Sequence, residues 1–436
     1  MRVFRLNWLL PALLLGLCNP AFAAPEETAS DLPVTDVQTF AEVFERIKRA
    51  YVEEVDDATL LRNAMRGMLS ELDPHSAYLS SEDFEALRES TEGEFGGIGI
   101  EVGMQDSQLT IIAPIDGTPA AEAGLQARDI ILRIDDTPTE RMSLQEAVTL
   151  MRGEPGEDIQ LTILRNGESA PRTYTLTREI IQSDSVNSEL LEPGYGYLRI
   201  SQFQSRTGQQ VRDALDKLTE QAPLKGLIVD LRNNPGGVLS AAVEVSDAFL
   251  DSGLIVYTEG RLDDSDLRFT AKPGTAVSAD VPMVVLINGG SASAAEIVAG
   301  ALQDQRRAVI MGTPSFGKGS VQQVLPLANG DGLKLTTALY YTPSGRSIQA
   351  QGITPDVRVV RGRLEVAEGN DFGLRESDLA GRLANPNGTP EPRVSSDPLQ
   401  DYQLGEALNL LKALNVLERL PAGAGTQAPA GEALIN

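Results

Sequence analysis

The sequence predicts an α/β fold, with a smaller strand-rich unit ahead of the main core. From Tyr195 onward, apolar strands alternate with amphipathic helices, such as the one expected at 207–221, and residues 226–231 are apolar almost throughout, as in a strand covered on both faces. The polar segment 259–280 is expected to be a loop. Residues 93–181 instead contain short elements separated by turns. The chain has 436 residues, 42% of them hydrophobic, which is enough for two or three hydrophobic cores.

The first 23 residues have the pattern of a secretory signal peptide. A basic start is followed by an apolar stretch at 9–17 and by the cleavage pattern A-F-A at 21–23. The single cysteine, Cys18, lies within this segment; a lipid-attachment signal at Cys18 is the alternative, which the bulky Leu17 disfavours. The expected mature chain has no thiol, which excludes disulfides, a cysteine nucleophile and thiolate metal sites. The expected location is the periplasm.

The charge of the chain is strongly negative. Its formal net charge is −25, with 62 acidic and 37 basic residues. Such a surface repels nucleic acids and anionic lipids, so neither is an expected partner.

Residues 40–51 and 60–72 predict two amphipathic helices, because their apolar side chains recur at helical spacing. A helical pair in this position serves either as a docking or oligomer contact or as a cap on the core. The only histidine, His75, follows in L-D-P-H-S-A-Y-L. A Ser-His-Asp triad would have to use it. We expect His75 to be structural instead, because a better candidate base lies elsewhere.

Residues 93–181 resemble a PDZ domain of the bacterial, circularly permuted type. They contain, in order, a G-I-G-I loop, a strand at 109–113, the turn P-A-A-E-A-G-L, a strand at 129–135 and a capped helix at 143–151. In that family the loop, here Gly97-Ile98-Gly99-Ile100, presents backbone N–H groups to the C-terminal carboxylate of a peptide that adds as a strand. The alternative is a small β unit without a ligand.

Ser293 lies in the turn N-G-G-S-A-S-A-A-E-I, between an apolar strand and a helix. A serine at such a turn projects its hydroxyl, and the free N–H groups of the helix start can stabilise an oxyanion. The structural alternative is a helix cap, because Ser293 and Glu296 have the spacing of a capping box. Ser291 is a rival nucleophile in the same turn. Neither serine has the glycine that a G-x-S-x-G elbow places two residues later.

Lys318 favours the nucleophile interpretation. It follows the strand at 308–312, within F-G-K-G-S-V-Q, and burial would lower its pKa so that a neutral amine accepts the serine proton. Gln322 lies an even number of residues further on, on the same face of an extended segment, where it is placed to position the amine. Less obvious candidates for that role are Asn288, Asp304 and Gln323. A phosphate-binding P-loop is the competing interpretation, but Gly319 stands where that motif needs Ser or Thr.

Taken together, these stretches resemble the carboxyl-terminal processing proteases, also called tail-specific proteases. The matching segments, which span roughly residues 40–350, are L-D-P-H-S-A-Y-L, G-I-G-I-E, D-L-R-N-N-P-G-G, G-G-S-A-S-A-A-E-I, F-G-K-G-S-V-Q and Y-Y-T-P-S-G-R-S-I-Q. The resemblance implies a nucleophile at Ser293, a base at Lys318, a supporting glutamine at Gln322, and oxyanion N–H donors at Ala294 and at one of Gly236 and Gly237, with Gly237 preferred.

The resemblance further implies a crotonase- or ClpP-like α/β core with an inserted PDZ domain, cleavage near apolar C-termini of proteins, and no metal or nucleotide cofactor. Some periplasmic members degrade cell-wall hydrolases with the help of lipoprotein adaptors, so the terminal helices are candidate adaptor or homo-oligomer surfaces. A non-catalytic PDZ scaffold or chaperone is the alternative. The expected divisions are a signal peptide (1–23), an N-terminal helical region (24–92), the PDZ domain (93–181), the protease core (182–362, with part of the N-terminal region), a C-terminal helical region (363–420) and a disordered tail (421–436).

Overall fold

The computed structural model describes residues 33–165, 167–168, 170–262, 265–362 and 401–419. The predicted signal peptide, the part of the expected C-terminal helical region at 363–400 and the expected tail lie outside these residues. Within the described ranges, no helix is both long enough and apolar enough to cross a bilayer.

The described residues up to Met68 form a compact unit by themselves. This unit contains α1 (Val34–Ala50) and most of α2 (Asp57–Ser70), which confirms the two predicted helices. Lys48 and Asp57 form an exposed ion pair between them. The exposed apolar side chains of α1 recur at helical spacing and are Val34, Val37, Phe40, Val43 and Ile47.

The second compact unit begins at Leu69. It opens with β1 (Ala77–Leu79) and α3 (Ser81–Glu92), neither of which the hydrophobic pattern predicted. Ser80 and Asp83 form a capping box at the start of α3, and Gly93 ends the helix in the left-handed conformation with φ 75°.

The PDZ region is a separately cored part of this unit. Its elements are β2 (Glu94–Gly97), β3 (Ile100–Gln105), β4 (Gln108–Pro114), α4 (Pro119–Glu122), β5 (Ile130–Ile134), β6 (Thr137–Pro138), α5 (Leu144–Met151), β7 (Asp158–Leu164), β8 (Arg172–Thr177) and β9 (Glu179–Gln182). The sheet order is β3-β4-β5-β7-β8, with β6 paired to β5, so β3 is an edge strand. Among the strands of the described residues, β2 and β9 pair only with each other, and the chain enters and leaves the region through this ribbon.

The predicted protease core follows the predicted PDZ region. Its elements are β10 (Val186–Glu192), β11 (Tyr195–Ile200), α6 (Thr207–Gln221), β12 (Gly226–Asp230), α7 (Leu239–Asp247), β13 (Leu254–Gly260), β14 (Arg268–Thr270), β15 (Met283–Ile287), α8 (Ala294–Asp304), β16 (Val309–Gly312), β17 (Ser320–Pro326), β18 (Gly332–Tyr341), β19 (Val357–Arg358) and α9 (Tyr402–Arg419). Strand β14 lies in the segment 259–280, which was expected to be a loop, and that expectation is wrong there.

The main sheet has the order β10-β11-β12-β15-β16-β19 and is parallel from β11 onward. Helices α6, α7 and α8 cover one face, where Leu227 and Val285 point, and α9 covers the other, where Ile228 and Val284 point. This explains the unbroken apolar run of the central strands. A second, antiparallel sheet has the order β1-β18-β13-β14, with β17 also paired to β18.

Candidate active site

Ser293 immediately precedes α8, in the turn after β15. Its backbone has φ 56° and ψ −115°, a conformation that non-glycine residues rarely adopt and that tends to occur at functional sites. Gly236 packs directly against this turn, because a Cβ at Gly236 would lie only 2.7 Å from Ser293 Cβ. The two loops that follow β12 and β15 therefore fit together only with glycine at this position.

Ser291, the rival nucleophile, is completely buried. Its hydroxyl donates to the carbonyl oxygen of Leu231 at 2.7 Å and accepts the N–H of Asn288 at 2.9 Å. These bonds tie together the ends of β12 and β15. The Ser291 hydroxyl is thus occupied by structural hydrogen bonds.

The Ser293 hydroxyl makes a contact beyond those of the capping box that Ser293 and Glu296 form at the start of α8. The Ser293 N–H donates to Glu296 Oε2 at 2.7 Å, which is the carboxylate half of a capping box. The Glu296 N–H bonds to the Ser293 carbonyl oxygen, and Ser293 Oγ lies 2.7 Å from the hydroxyl of Tyr340.

Glu296 is completely buried and joins the serine turn to the lysine loop. Besides the Ser293 N–H, its carboxylate accepts the N–H of Gly317 at 2.7 Å, the N–H of Lys318 at 2.9 Å and the hydroxyl of Ser315 at 2.6 Å. Burial raises the pKa of this carboxyl, and the four hydrogen bonds oppose that rise. Sequence reasoning identified Glu296 only as part of a cap.

Lys318 is half-buried at the start of the β17–β18 hairpin. Burial lowers its pKa below the ordinary lysine value, and the nearby positive charge of Lys334 lowers it further. The carboxylates of Asp73 and Glu296 act in the opposite direction. The balance favours a neutral amine more than for an exposed lysine.

Gln322 is held by its amide nitrogen. This nitrogen donates to Ser320 Oγ at 2.9 Å and to Thr336 Oγ1 at 3.4 Å, and Thr336 in turn donates to Asp73 at 3.1 Å. The carbonyl oxygen of Gln322 is the atom that remains to accept a hydrogen bond from an amine. A β-bulge at this point pairs Val321 with Ala338 but Gln322 with Thr336.

Five residues singled out from the sequence line one cavity of about 310 Å³: Ser293, Lys318, Gln322, Gly237 and Ala294. Gly237 must be glycine, because a Cβ there would lie 2.0 Å from the carbonyl oxygen of Phe203. The N–H of Gly236 is already bonded to Asn234 Oδ1 at 2.9 Å. The cavity also contains Lys334 and Tyr340, which sequence reasoning missed.

Other sequence candidates lie in different environments. Asp73 accepts the backbone N–H of His75, and burial together with the charge of Lys318 lowers the pKa of this histidine. Asp304 binds the Ser344 N–H and the Arg346 guanidinium at the other end of α8. Asn288 is paired with Asn233, and Gln323 is exposed.

The predicted carboxylate loop of the PDZ region leads into the edge strand β3. The carbonyl oxygen of Ile98 accepts the Ala120 N–H, and that of Gly99 accepts the Ile115 N–H and the Thr118 hydroxyl. Gly99 has φ 75°, and a Cβ there would lie 2.3 Å from Thr118 Cβ. The carbonyl oxygens therefore anchor the loop to the segment that begins α4.

Comparison with known proteins gives three family matches. Residues 194–359 match Peptidase family S41, residues 110–165 match a PDZ domain, and residues 21–83 match the family described as "Activating protease CtpB N-terminal domain". These matches confirm the predicted combination of an α/β protease core with a PDZ domain, and they identify the core as one of the S41 type.

Relatives with curated names agree with these matches. The carboxy-terminal-processing protease of Bartonella bacilliformis is 47% identical over 381 residues, which cover 86% of this chain and 87% of that protein. The corresponding protease of Synechocystis is 42% identical over 312 residues, covering 70% and 72%. The carboxy-terminal processing protease CtpA of Bacillus subtilis is 35% identical over 317 residues, covering 72% and 67%.

Each of these relatives covers at least 70% of this chain. The protein is therefore a serine-type endopeptidase, and the alternative of a non-catalytic scaffold is wrong. The chain belongs to the carboxy-terminal processing proteases of peptidase family S41.

Proposed function

We propose that this protease uses Ser293 as its nucleophile and Lys318 as its general base, with Gln322 positioning the amine. The main support is that the three side chains, from two separate elements, line one cavity. The lowered pKa of Lys318 also supports the proposal, because only a neutral amine can take a proton from the serine.

In this mechanism Ser293 Oγ forms a bond to the carbonyl carbon of the scissile peptide. At the same time the proton of the Ser293 hydroxyl passes to Lys318 Nζ. The lysine then gives that proton to the leaving amine as the C–N bond breaks. Water, activated by the again neutral lysine, hydrolyses the resulting ester and releases the second product.

The backbone N–H groups of Gly237 and Ala294 are the proposed oxyanion donors. Both residues line the cavity beside Ser293, and Ala294 is the first residue of α8, where the helix dipole favours negative charge. Gly237 is preferred over Gly236, whose N–H already binds Asn234.

The PDZ domain is the proposed receptor for the C-terminal tail of a protein substrate. A tail is expected to add as a strand beside β3, with its carboxylate at the loop Gly97-Ile98-Gly99-Ile100. The apolar residues of α5 and β3 lie alongside this edge and favour apolar tails. Cleavage near the C-terminus follows from tethering the chain by its end.

We further propose export to the periplasm by the signal peptide at 1–23, with periplasmic proteins such as cell-wall hydrolases as substrates. The exposed apolar row of α1 is the candidate surface for a homo-oligomer or a lipoprotein adaptor. Isolation of the mature protein from a periplasmic fraction, with its N-terminus at residue 24, tests the location; recovery of an uncleaved chain from the cytoplasm would contradict it.

Cleavage of a denatured protein with an apolar C-terminus tests the dyad. Ser293→Ala and Lys318→Ala are each expected to lower the rate by about 1000-fold or more, whereas Ser291→Ala retains activity in its folded fraction. Wild-type rates in either of the first two variants would rule out the dyad.

The PDZ assignment is tested by peptide binding to the Ser293→Ala variant. A peptide with a free C-terminus is expected to bind, and its amidated form is not.

A further inference from the structure

Tyr340, on β18, lies beside the proposed nucleophile. Its hydroxyl oxygen is 2.7 Å from Ser293 Oγ, and the residue is only 3% exposed. In the part of the chain that the structure describes, Ser293 Oγ is the one hydrogen-bond partner recorded for this hydroxyl.

The chemistry of the two hydroxyls sets the direction of this bond. A phenol O–H is far more acidic than an aliphatic O–H, so it is the better donor. Ser293 Oγ is also the protein acceptor within reach of the buried phenol. Tyr340 therefore donates, and Ser293 Oγ accepts.

A serine hydroxyl that accepts from one side keeps its own proton for another acceptor. We propose that Tyr340 is a positioning residue that holds Ser293 Oγ as an acceptor and thereby directs the serine proton toward Lys318 Nζ. This inference rests on the proposed Ser293–Lys318 dyad.

The backbone of Tyr340 is anchored to the lysine loop. Its N–H donates to the carbonyl oxygen of Gly319 at 2.9 Å, directly after Lys318, and the adjacent Leu339 pairs with Ser320. Gly319 is confined there, because a Cβ would lie 2.4 Å from the Gln349 nitrogen. Tyr340 thus links the serine of α8 to the hairpin that carries the base and the glutamine.

The phenol keeps its proton throughout the reaction. Burial raises the pKa of Tyr340, so at neutral pH it remains a donor. As Ser293 Oγ transfers its proton to Lys318, the Tyr340 O–H stabilises the charge that develops on this oxygen. When the acyl ester breaks down, the same bond stabilises Oγ as the leaving group until the Lys318 ammonium returns the proton.

The test is Tyr340→Phe, which removes the hydroxyl and keeps the ring. The matched control is Tyr341→Phe on the neighbouring residue, whose ring stacks on Tyr257. We expect kcat and the labelling rate of Ser293 by a fluorophosphonate to fall by about 10- to 100-fold in Tyr340→Phe, while KM and the unfolding temperature stay near wild type. Tyr341→Phe should leave both rates unchanged.

A second variant, 3,5-difluorotyrosine at position 340, keeps the hydroxyl but makes the phenol more acidic. In this variant, activity is expected to be lost at an alkaline pH at which the wild type, whose Tyr340 pKa is raised by burial, is still active, because an ionised phenol no longer donates. Wild-type kcat and labelling in Tyr340→Phe, or the same pH profile in the difluorotyrosine variant and the wild type, would overturn the role of Tyr340. Full activity in Ser293→Ala would instead overturn the dyad itself.

Discussion

Glu296 Oε2 lies 2.9 Å from the backbone nitrogen of Lys318, although 22 residues separate them in the chain. The same oxygen accepts the Ser293 N–H at 2.7 Å. One buried carboxylate atom thus fixes the backbones of the proposed nucleophile and the proposed base relative to each other. The reactive geometry depends on a residue that does not line the cavity.

Replacement of Glu296 by Gln is expected to damage both activity and stability. The amide keeps one acceptor oxygen and turns an NH₂ group toward backbone donors, so buried N–H groups lose their partner. We expect activity to fall by about 100-fold and the free energy of unfolding by about 2–3 kcal/mol, measured by peptide cleavage and urea titration. Glu220→Gln, at an exposed position of α6, is the control. Similar effects in both variants would contradict the prediction.

Lys334 and Asp73 are expected to shift the pH profile in opposite directions. The active form of Lys318 is the neutral amine, so activity rises as pH passes its pKa. Lys334→Gln removes a positive charge that lowers this pKa, and the acid limb of kcat/KM should move to higher pH. Asp73→Asn removes a negative charge that raises the pKa of Lys318, and the acid limb of kcat/KM should therefore move to lower pH.

The profile of kcat/KM against pH is the measurement, since it reports ionisation in the free enzyme. Asp73 also accepts several hydrogen bonds, so the position of the limb and not the maximal rate is diagnostic. Lys272→Gln, at an exposed site, is the control and should leave the limb in place. Shifts of equal sign in the Lys334 and Asp73 variants would be incompatible with this electrostatic balance.

Ser291→Ala is expected to lower stability while leaving catalysis intact. It leaves a partly buried N–H of Asn288 and a buried carbonyl of Leu231 without their partner, which costs about 1–3 kcal/mol. Urea unfolding together with active-site titration separates the two effects. Loss of turnover per folded molecule would show that Ser291, two residues before Ser293, takes part in the chemistry.

Gly99→Ala is expected to impair tail binding. Gly99 and Gly117 have nearly the same positive φ, 75° and 73°, so alanine costs each a similar backbone strain. Only at Gly99 would the new methyl meet Thr118, at 2.3 Å, whereas nothing lies within 4 Å at Gly117. Calorimetry with a peptide of apolar C-terminus should show about tenfold weaker binding in Gly99→Ala than in Gly117→Ala. Equal affinities of the two variants would mean that the C-terminal carboxylate of the peptide does not bind at the loop 97–100.

Local patterns were enough to predict much of this fold. The helix expected at 207–221 coincides with α6, and the capping box at Ser143 and Glu146 opens α5 as predicted. Helix α3 was not predicted, because its segment S-E-D-F-E-A-L-R-E-S-T-E has few apolar residues. The ends of this helix are instead defined by its N-terminal cap and by Gly93. Strand β14 lies in a polar segment and takes its structure from pairing with β13.

The candidate site could be predicted from the sequence where a local motif indicates the chemistry, but not where residues distant in the chain make the contacts. Ser293 and Lys318 were proposed from residue type and surrounding glycines, and both line the same cavity. Tyr340 is 47 residues from Ser293, and in a β-strand its aromatic ring looks like ordinary core. Glu296 matched the simpler explanation of a cap, because nothing local reveals that the loop at 315–318 folds onto its carboxylate.

The ribbon formed by β2 and β9 makes the PDZ domain an exchangeable module. Glu94 pairs with Gln182 and Gly97 with Glu179, so the two ends of the insertion lie about 5 Å apart, as in a hairpin. A short turn could close this gap, or another domain with neighbouring ends could occupy it, without shifting the register of any strand in the core. Exchange of this insertion would therefore change the proposed tail preference, in evolution or by engineering, and leave the residues of the candidate active site unchanged.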